Sequence, residues 1–193
     1  MGLERTRLAI IVGTRPEVIK LSRVIAEADR AFDVVLIHTG QNFDHELNGI
    51  FFEELGVRPP DYQLEAVGKS AAETIGEVVI RSHRVLVETK PDALLILGDT
   101  NSCLSVISAK RLKIPIFHME AGNRCFDSSV PEEVNRKIVD HTSDVNLPYG
   151  EHARRNLLAE GLPTDRIITT GSPMREVIEH HRAAIESSSV LRR

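Results

Sequence analysis

Short apolar runs rich in β-branched residues alternate along this chain with segments whose apolar positions recur at helical spacing. The runs at 8–12, 34–38, 93–97, 114–118, 144–147 and 167–169 predict strands. Between them, Val18, Leu21 and Ile25 mark one helical stripe, and Ile50 and Leu55 after Phe43 mark a second. Val79, Val85 and Leu86 give a third, and Leu104, Ile107 and Arg111 a fourth. Val134 and Ile138 mark the buried face of a helix that opens at Pro131. Strands that are apolar throughout, separated by amphipathic helices, argue for a parallel sheet covered on both faces. The expected class is therefore α/β: a doubly wound, mostly parallel, Rossmann-like sheet with right-handed crossovers. Residues 1–172 are expected to form this domain, and 173–193 a connecting helix over 174–185 and a basic tail, with a second domain missing.

Composition narrows the partners more than the fold. With 193 residues, 41% hydrophobic and 27% charged, the chain is ordinary for a globular protein and can bury a sizeable core. Its 24 basic and 28 acidic residues give a net charge of −4 without a basic patch, so nucleic acid is not an expected partner. No apolar run approaches membrane length, and the one at 8–12 is too short for a signal peptide; no membrane partner and a cytoplasmic location are expected. Cys103 and Cys125 fit a reducing compartment, being in neither CxxC nor disulfide-framework spacing. The histidines fall in no metal-ligand spacing, so no metal site is expected. Fingerprints for dinucleotides, a Walker A loop and a GxSxG elbow are all missing.

Open parallel sheets bind ligands outside the carboxyl ends of their strands. The loops there should be Gly13-Thr14-Arg15-Pro16-Glu17, Thr39-Gly40-Gln41-Asn42, Gly98-Asp99-Thr100 and Glu120-Ala121-Gly122-Asn123-Arg124. In the first, a Thr-x-x-Glu capping box and an early proline account for a well-made helix start. They leave Arg15 unexplained, because a cation at the positive end of a helix is unfavourable unless an anion binds there. Lys20, outside the apolar stripe, is either a second anion contact or a solvated lysine. Asp99 either caps the following helix or does chemistry, whereas Glu120 has no capping role because Ala-Gly follows it. Two acids at neighbouring strand ends would repel, which suits proton-transfer groups. On spacing alone, Glu132–Arg136 and Glu133–Lys137 read as exposed ion pairs opposite Val134 and Ile138.

GTRPE at 13–17, TGQN at 39–42, GDT at 98–100, MEAGNR at 119–124, VPEEVNRKIVDH at 130–141 and TGSP at 170–173 occur in that order. Together they resemble the non-hydrolysing UDP-N-acetylglucosamine 2-epimerases, and the MEAGNRCFD form is similar to relatives acting in capsule and O-antigen sugar pathways. The resemblance covers the N-terminal half of that family, whose members pair two Rossmann-like domains in a GT-B arrangement around the substrate cleft. It implies inversion at C2 of a UDP-HexNAc by elimination and re-addition of UDP through a 2-acetamidoglucal, an isomerase reaction that needs no metal or redox cofactor. It implies Asp99, Glu120 and Glu132 as acid/base groups, and Arg15, Lys20, Gly13, Thr14, Gln41 and Arg136 as substrate-binding residues. With it, Glu132 and Arg136 are expected to face the cleft. A UDP-sugar and a second copy of the chain, as a homodimer, are the implied partners. The stretch Asn42-Phe43-Asp44-His45 departs from the common bacterial pattern, which leaves open both allosteric activation and a more substituted sugar such as a UDP-2,3-diacetamido uronic acid. Half of the family's length being missing, the chain alone is expected to be inactive. The alternatives are a domain of a GT-B UDP-sugar glycosyltransferase and a non-catalytic truncated remnant.

Overall fold

The computed structural model describes residues 5–40 and 52–189. Its centre is a six-stranded sheet in the order β3-β2-β1-β4-β5-β6, parallel throughout. The strands are β1 (Arg7–Val12), β2 (Asp33–His38), β3 (Tyr62–Gln63), β4 (Ala93–Leu97), β5 (Ile116–Met119) and β6 (Val145–Leu147). The continuous apolar run of β1 has a simple cause. Ala9 and Ile11 enter one core with Val85 and Leu86, while Leu8, Ile10 and Val12 enter the other with Leu21 and Ile25. A strand buried on both faces has no polar side to show.

Helix α1 (Arg15–Ala31) buries the expected Val18, Leu21 and Ile25, with Ser22 and Ala28 completing the stripe. Helix α2 (Ala71–Thr89) starts where the Ser70 hydroxyl accepts a bond from the Glu73 amide, and ends at Lys90 in a left-handed conformation. Its stripe runs through Val78 rather than Val79. A 3-10 turn, Asn101–Ser105, precedes α3 (Val106–Arg111) and changes the phase there, since three residues per turn displace a 3.6-residue pattern. Val106 and Ala109 are buried in consequence, and Ile107 faces solvent.

The largest departure from expectation is α4 (Pro131–Thr142). Val134 and Ile138 are 45% and 38% exposed, and the buried residues are Glu133, Asn135, Val139 and Asp140. This helix turns its polar side inward because that side hydrogen-bonds to the loops after β4 and β5, and satisfied polar groups can be buried. Helices α5 (Glu151–Ala159), α6 (Met174–His180) and α7 (Arg182–Ser187) follow. The segment expected as a strand at 167–169 makes one bridge, Asn146 to Ile167, and the helix expected over 174–185 breaks at His181. Helix α6 returns to α1, with Arg23 and His180 in contact at 3.3 Å. Beside α1, a groove runs along the sheet face past Leu95, Phe117 and Met119 to Thr170 and Pro173. Of the stripe read from Phe43, Ile50 and Leu55, the first two lie outside the described residues, and Leu55 packs half-buried against the core of Leu21 and Ile25. No helix of the described residues is long and apolar enough to cross a membrane.

Candidate functional site

The sheet order reverses between β1 and β4, so the crevice above their carboxyl ends is the expected ligand position. Gly13 follows β1 there. A Cβ on it would lie 2.2 Å from Thr39 Oγ1 and 2.9 Å from Ser102 Cβ, so glycine is required by the close approach of three loops. Glu17, 2% exposed, joins them. Its Oε2 accepts from the Gly13 amide at 2.5 Å and the Thr14 amide at 2.8 Å. Its Oε1 accepts from the Thr100 hydroxyl at 2.6 Å and the Ser102 hydroxyl at 2.7 Å. Burial pushes the Glu17 carboxyl up, against these hydrogen bonds that favour its anion. The residue read as half of a capping box is thus also a tie between the β1 and β4 loops. Thr14 and Thr39 carry buried hydroxyls with no hydrogen-bond partner among the described residues. Arg15 opens α1, half-buried.

Asp99 and Glu120 follow strands that pair directly, Leu97 opposite Met119. Asp99 does not cap the following 3-10 turn, whose N-cap is Thr100. Its carboxylate instead accepts from Arg136 Nε at 2.6 Å, and its carbonyl from Asn135 Nδ2 at 2.9 Å. Glu120 meets Lys20 Nζ at 2.5 Å, which excludes the reading of Lys20 as a merely solvated lysine. Each acid has its own cation, from a different helix, where mutual repulsion was expected.

Glu120 holds φ +65°, a left-handed conformation that a long side chain adopts only when its surroundings enforce it. Its amide donates to Leu147 O at 3.2 Å, and two residues on Gly122 takes φ +80° against the Ala153 carbonyl. Tyr149 lies alongside; burial first, and then the Glu120 carboxylate, push its phenol up.

The ion pairs of α4 differ from those the spacing suggested. Arg136 pairs with Glu133 at 3.0 Å as well as with Asp99, and not with Glu132. Lys137 stands 3.9 Å from Glu133, as expected. Glu133 is fully buried and accepts from the Cys125 amide at 3.0 Å and the Phe126 amide at 3.3 Å. Burial opposes its ionisation, but the amides and Arg136 outweigh that and hold its carboxyl down at about 2. Glu132 is exposed in the first turn of α4.

Beneath these loops lies a buried polar network. Asp140 accepts from His118 Nδ1 at 2.8 Å, from Arg124 at 2.8 Å and from the Gly122 amide at 3.2 Å. His118 Nε2 reaches Gly98 O at 2.8 Å, and Arg124 also grips Glu160 at 2.7 Å.

The structure therefore brings Gly13, Thr14, Arg15, Lys20, Asp99, Glu120 and Arg136 to one edge of the sheet, with Glu132 exposed on α4; Gln41 lies outside the described residues. Sequence reasoning missed the tying role of Glu17, the burial of Glu133, and the set His118, Asp140 and Arg124. Among the described residues, no group of three His, Cys, Asp or Glu side chains is placed to hold a metal ion.

Residues 25–193 match a family model described as UDP-N-acetylglucosamine 2-epimerase. The chain is 36% identical over 176 residues to UDP-2,3-diacetamido-2,3-dideoxy-D-glucuronate 2-epimerase of Pseudomonas aeruginosa, covering 88% of this chain and 49% of that protein. A solved UDP-N-acetylglucosamine 2-epimerase from Rickettsia bellii is 55% identical with a TM-score of 0.93, over 97% of this chain and 50% of that one. The Methanocaldococcus jannaschii UDP-GlcNAc 2-epimerase, solved in complex with UDP-GlcNAc and UDP, is 36% identical with a TM-score of 0.91, over 97% and 52%. The chain spans about half the length of each.

Proposed function

This chain belongs to the UDP-N-acetylglucosamine 2-epimerase family, and on that premise we propose that it forms the acid/base-bearing, N-terminal domain of an isomerase inverting C2 of a UDP-HexNAc. The observation that carries the reading is the pair of carboxylates at adjacent strand tips, Asp99 on Arg136 and Glu120 on Lys20. A C2–H beside an amide nitrogen is a very weak acid, so its removal has to accompany loss of the leaving group. One carboxylate takes the C2 proton, the C–H electron pair becomes the C1=C2 double bond, and the C1–O bond breaks with its electrons leaving on UDP. A second acid returns a proton to the opposite face of the 2-acetamidoglucal as UDP re-adds at C1. Asp99, Glu120 and Glu132 take these proton-handling roles. Arg15 and Lys20 meet the diphosphate, where cations stabilise developing negative charge, and the Gly13-Thr14 turn beside them offers the Thr14 hydroxyl.

The second wall of the cleft belongs to the half of the relatives that this chain does not span, so the 193-residue chain is proposed to be inactive by itself, and the whole protein to act as a cytoplasmic homodimer. The test is an NMR assay in D2O with UDP-GlcNAc and with UDP-2,3-diacetamido sugars. The intact two-domain protein should give the C2 epimer with deuterium at C2, and the isolated chain should give neither. If the intact protein leaves every UDP-HexNAc unchanged, the function is wrong; turnover by the isolated chain would overturn its proposed inactivity.

A further inference from the structure

We propose that His118 is a buried imidazolium acting as the positioning residue that sets the Asp99 and Glu120 loops against one another; only the catalytic consequence rests on the function proposed above.

The argument is one of donors and acceptors. His118 is 1% exposed, and among the described residues each ring nitrogen has a single partner at 2.8 Å: Gly98 O on one side and Asp140 Oδ1 on the other. A peptide carbonyl has no proton to give. The Asp140 carboxylate has none to spare either, since the Gly122 amide and Arg124 already donate to it. Neutral imidazole has one N–H and one lone pair. It would therefore direct a lone pair at one of two oxygens at hydrogen-bond distance, in a site without solvent to relieve the repulsion. Only the doubly protonated ring makes both bonds. Charge is matched where the network is driest: the inaccessible His118 and Arg124 face the equally inaccessible Asp140, and Arg124 reaches on to Glu160, which His141 also meets at 3.0 Å.

The placement gives that cation a task. Gly98 O belongs to the residue before Asp99, and Asp140 holds the amide of Gly122, two residues after Glu120. His118 itself stands at the end of β5, two residues before Glu120. One ring thus links the β4 loop, the β5 loop and α4 at the level where both acids emerge. None of its atoms is needed for proton transfer; it acts through the spacing of Asp99 and Glu120.

The first test reads the ring directly. Nitrogen-15 NMR of the labelled chain at neutral pH should show both His118 nitrogens bearing protons, and a nitrogen with a free lone pair would overturn the assignment. The second reads its consequence in the intact protein. His118→Gln should lower kcat about 100-fold, the cost of a misplacement of roughly 1 Å. KM for the UDP-sugar should stay within about threefold, because binding groups are untouched. A folded His118→Gln with wild-type kcat would overturn the positioning role. If that variant does not fold, Asp140→Asn keeps the shape of the network and is judged on the same two readouts: one ring nitrogen should lose its proton and kcat should fall, and unchanged values of both would refute the proposal. An intact protein inactive on every UDP-HexNAc, with a doubly protonated His118, would sink the function and leave the imidazolium standing.

Discussion

Glu120 and Lys20 lie a hundred residues apart in the chain and 2.5 Å apart in the fold. The cation comes from the second turn of α1 and the carboxylate from the tip of β5, so their contact joins the loops on either side of β4. If the pair works as a unit in proton transfer, its losses will not add. Glu120→Gln in the intact protein should slow deuterium exchange at C2 about 1000-fold, within the range for a general acid or base. Lys20→Met should slow it as well, and the double variant should be no slower than Glu120→Gln alone. Strict additivity would show that Lys20 acts on the substrate independently of Glu120.

Glu133 should make the protein sensitive to acid. Its carboxyl lies at about 2 in the fold, against an ordinary value of 4.5. A depressed value means that its contribution is complete above about pH 4.5 and is lost as pH falls towards 2. Glu133→Gln should be about 2–3 kcal/mol less stable at neutral pH, the worth of charge-assisted hydrogen bonds. It should also lose less stability than the wild type across that acid window, as denaturant midpoints at successive pH values will read.

Glu17 should behave in the opposite sense. Its folded value is raised, so its contribution is complete below pH 4.5 and is lost as pH rises through the raised value. Glu17→Gln keeps an acceptor for the Gly13 and Thr14 amides and carries no charge to desolvate. Relative to wild type, this variant should gain stability as pH rises above 4.5; a constant difference would mean that burial does not control Glu17.

Two glycines separate backbone strain from steric clash. Gly98 and Gly122 both hold φ +80°, but a Cβ on Gly98 meets nothing within 4 Å, while one on Gly122 would lie 2.3 Å from Ala153 O. Gly98→Ala should cost about 1–2 kcal/mol, the left-handed penalty alone. Gly122→Ala should cost upwards of about 4 kcal/mol, as expected when strain and overpacking combine. Thermal unfolding of the two variants distinguishes them.

How far the sequence could be read depended on what drove each burial. Five of the strands and α1 were legible because apolar side chains fill two cores, and period alone reports that; the two-residue β3, Tyr62–Gln63, has no apolar run and was not expected. Helix α4 was misread because Glu133 and Asp140 are buried by hydrogen bonds, and an apolar pattern is blind to those. The phase of α3 was lost to a 3-10 turn. At the site, Asp99 and Glu120 were legible as acids next to strand ends, and Lys20 only as a cation outside the apolar stripe of α1. Nothing in the spacing distinguished Glu132, exposed, from Glu133, buried. His118 and Asp140 were invisible as a pair because 22 residues separate them and only the fold joins them.

The central place of β1 has a consequence for how this chain is made. On a ribosome, β1 and β2 emerge together, yet the other edge of β1 pairs with Ala93 to Leu95. Some eighty residues of synthesis therefore pass with the middle of the eventual sheet open along one side. An unpaired apolar edge is a template for wrong partners, and parallel pairing across so long a loop is slow to close. The hazard peaks before β4 leaves the exit tunnel, so chaperone capture during translation should be densest on nascent chains that end short of that strand.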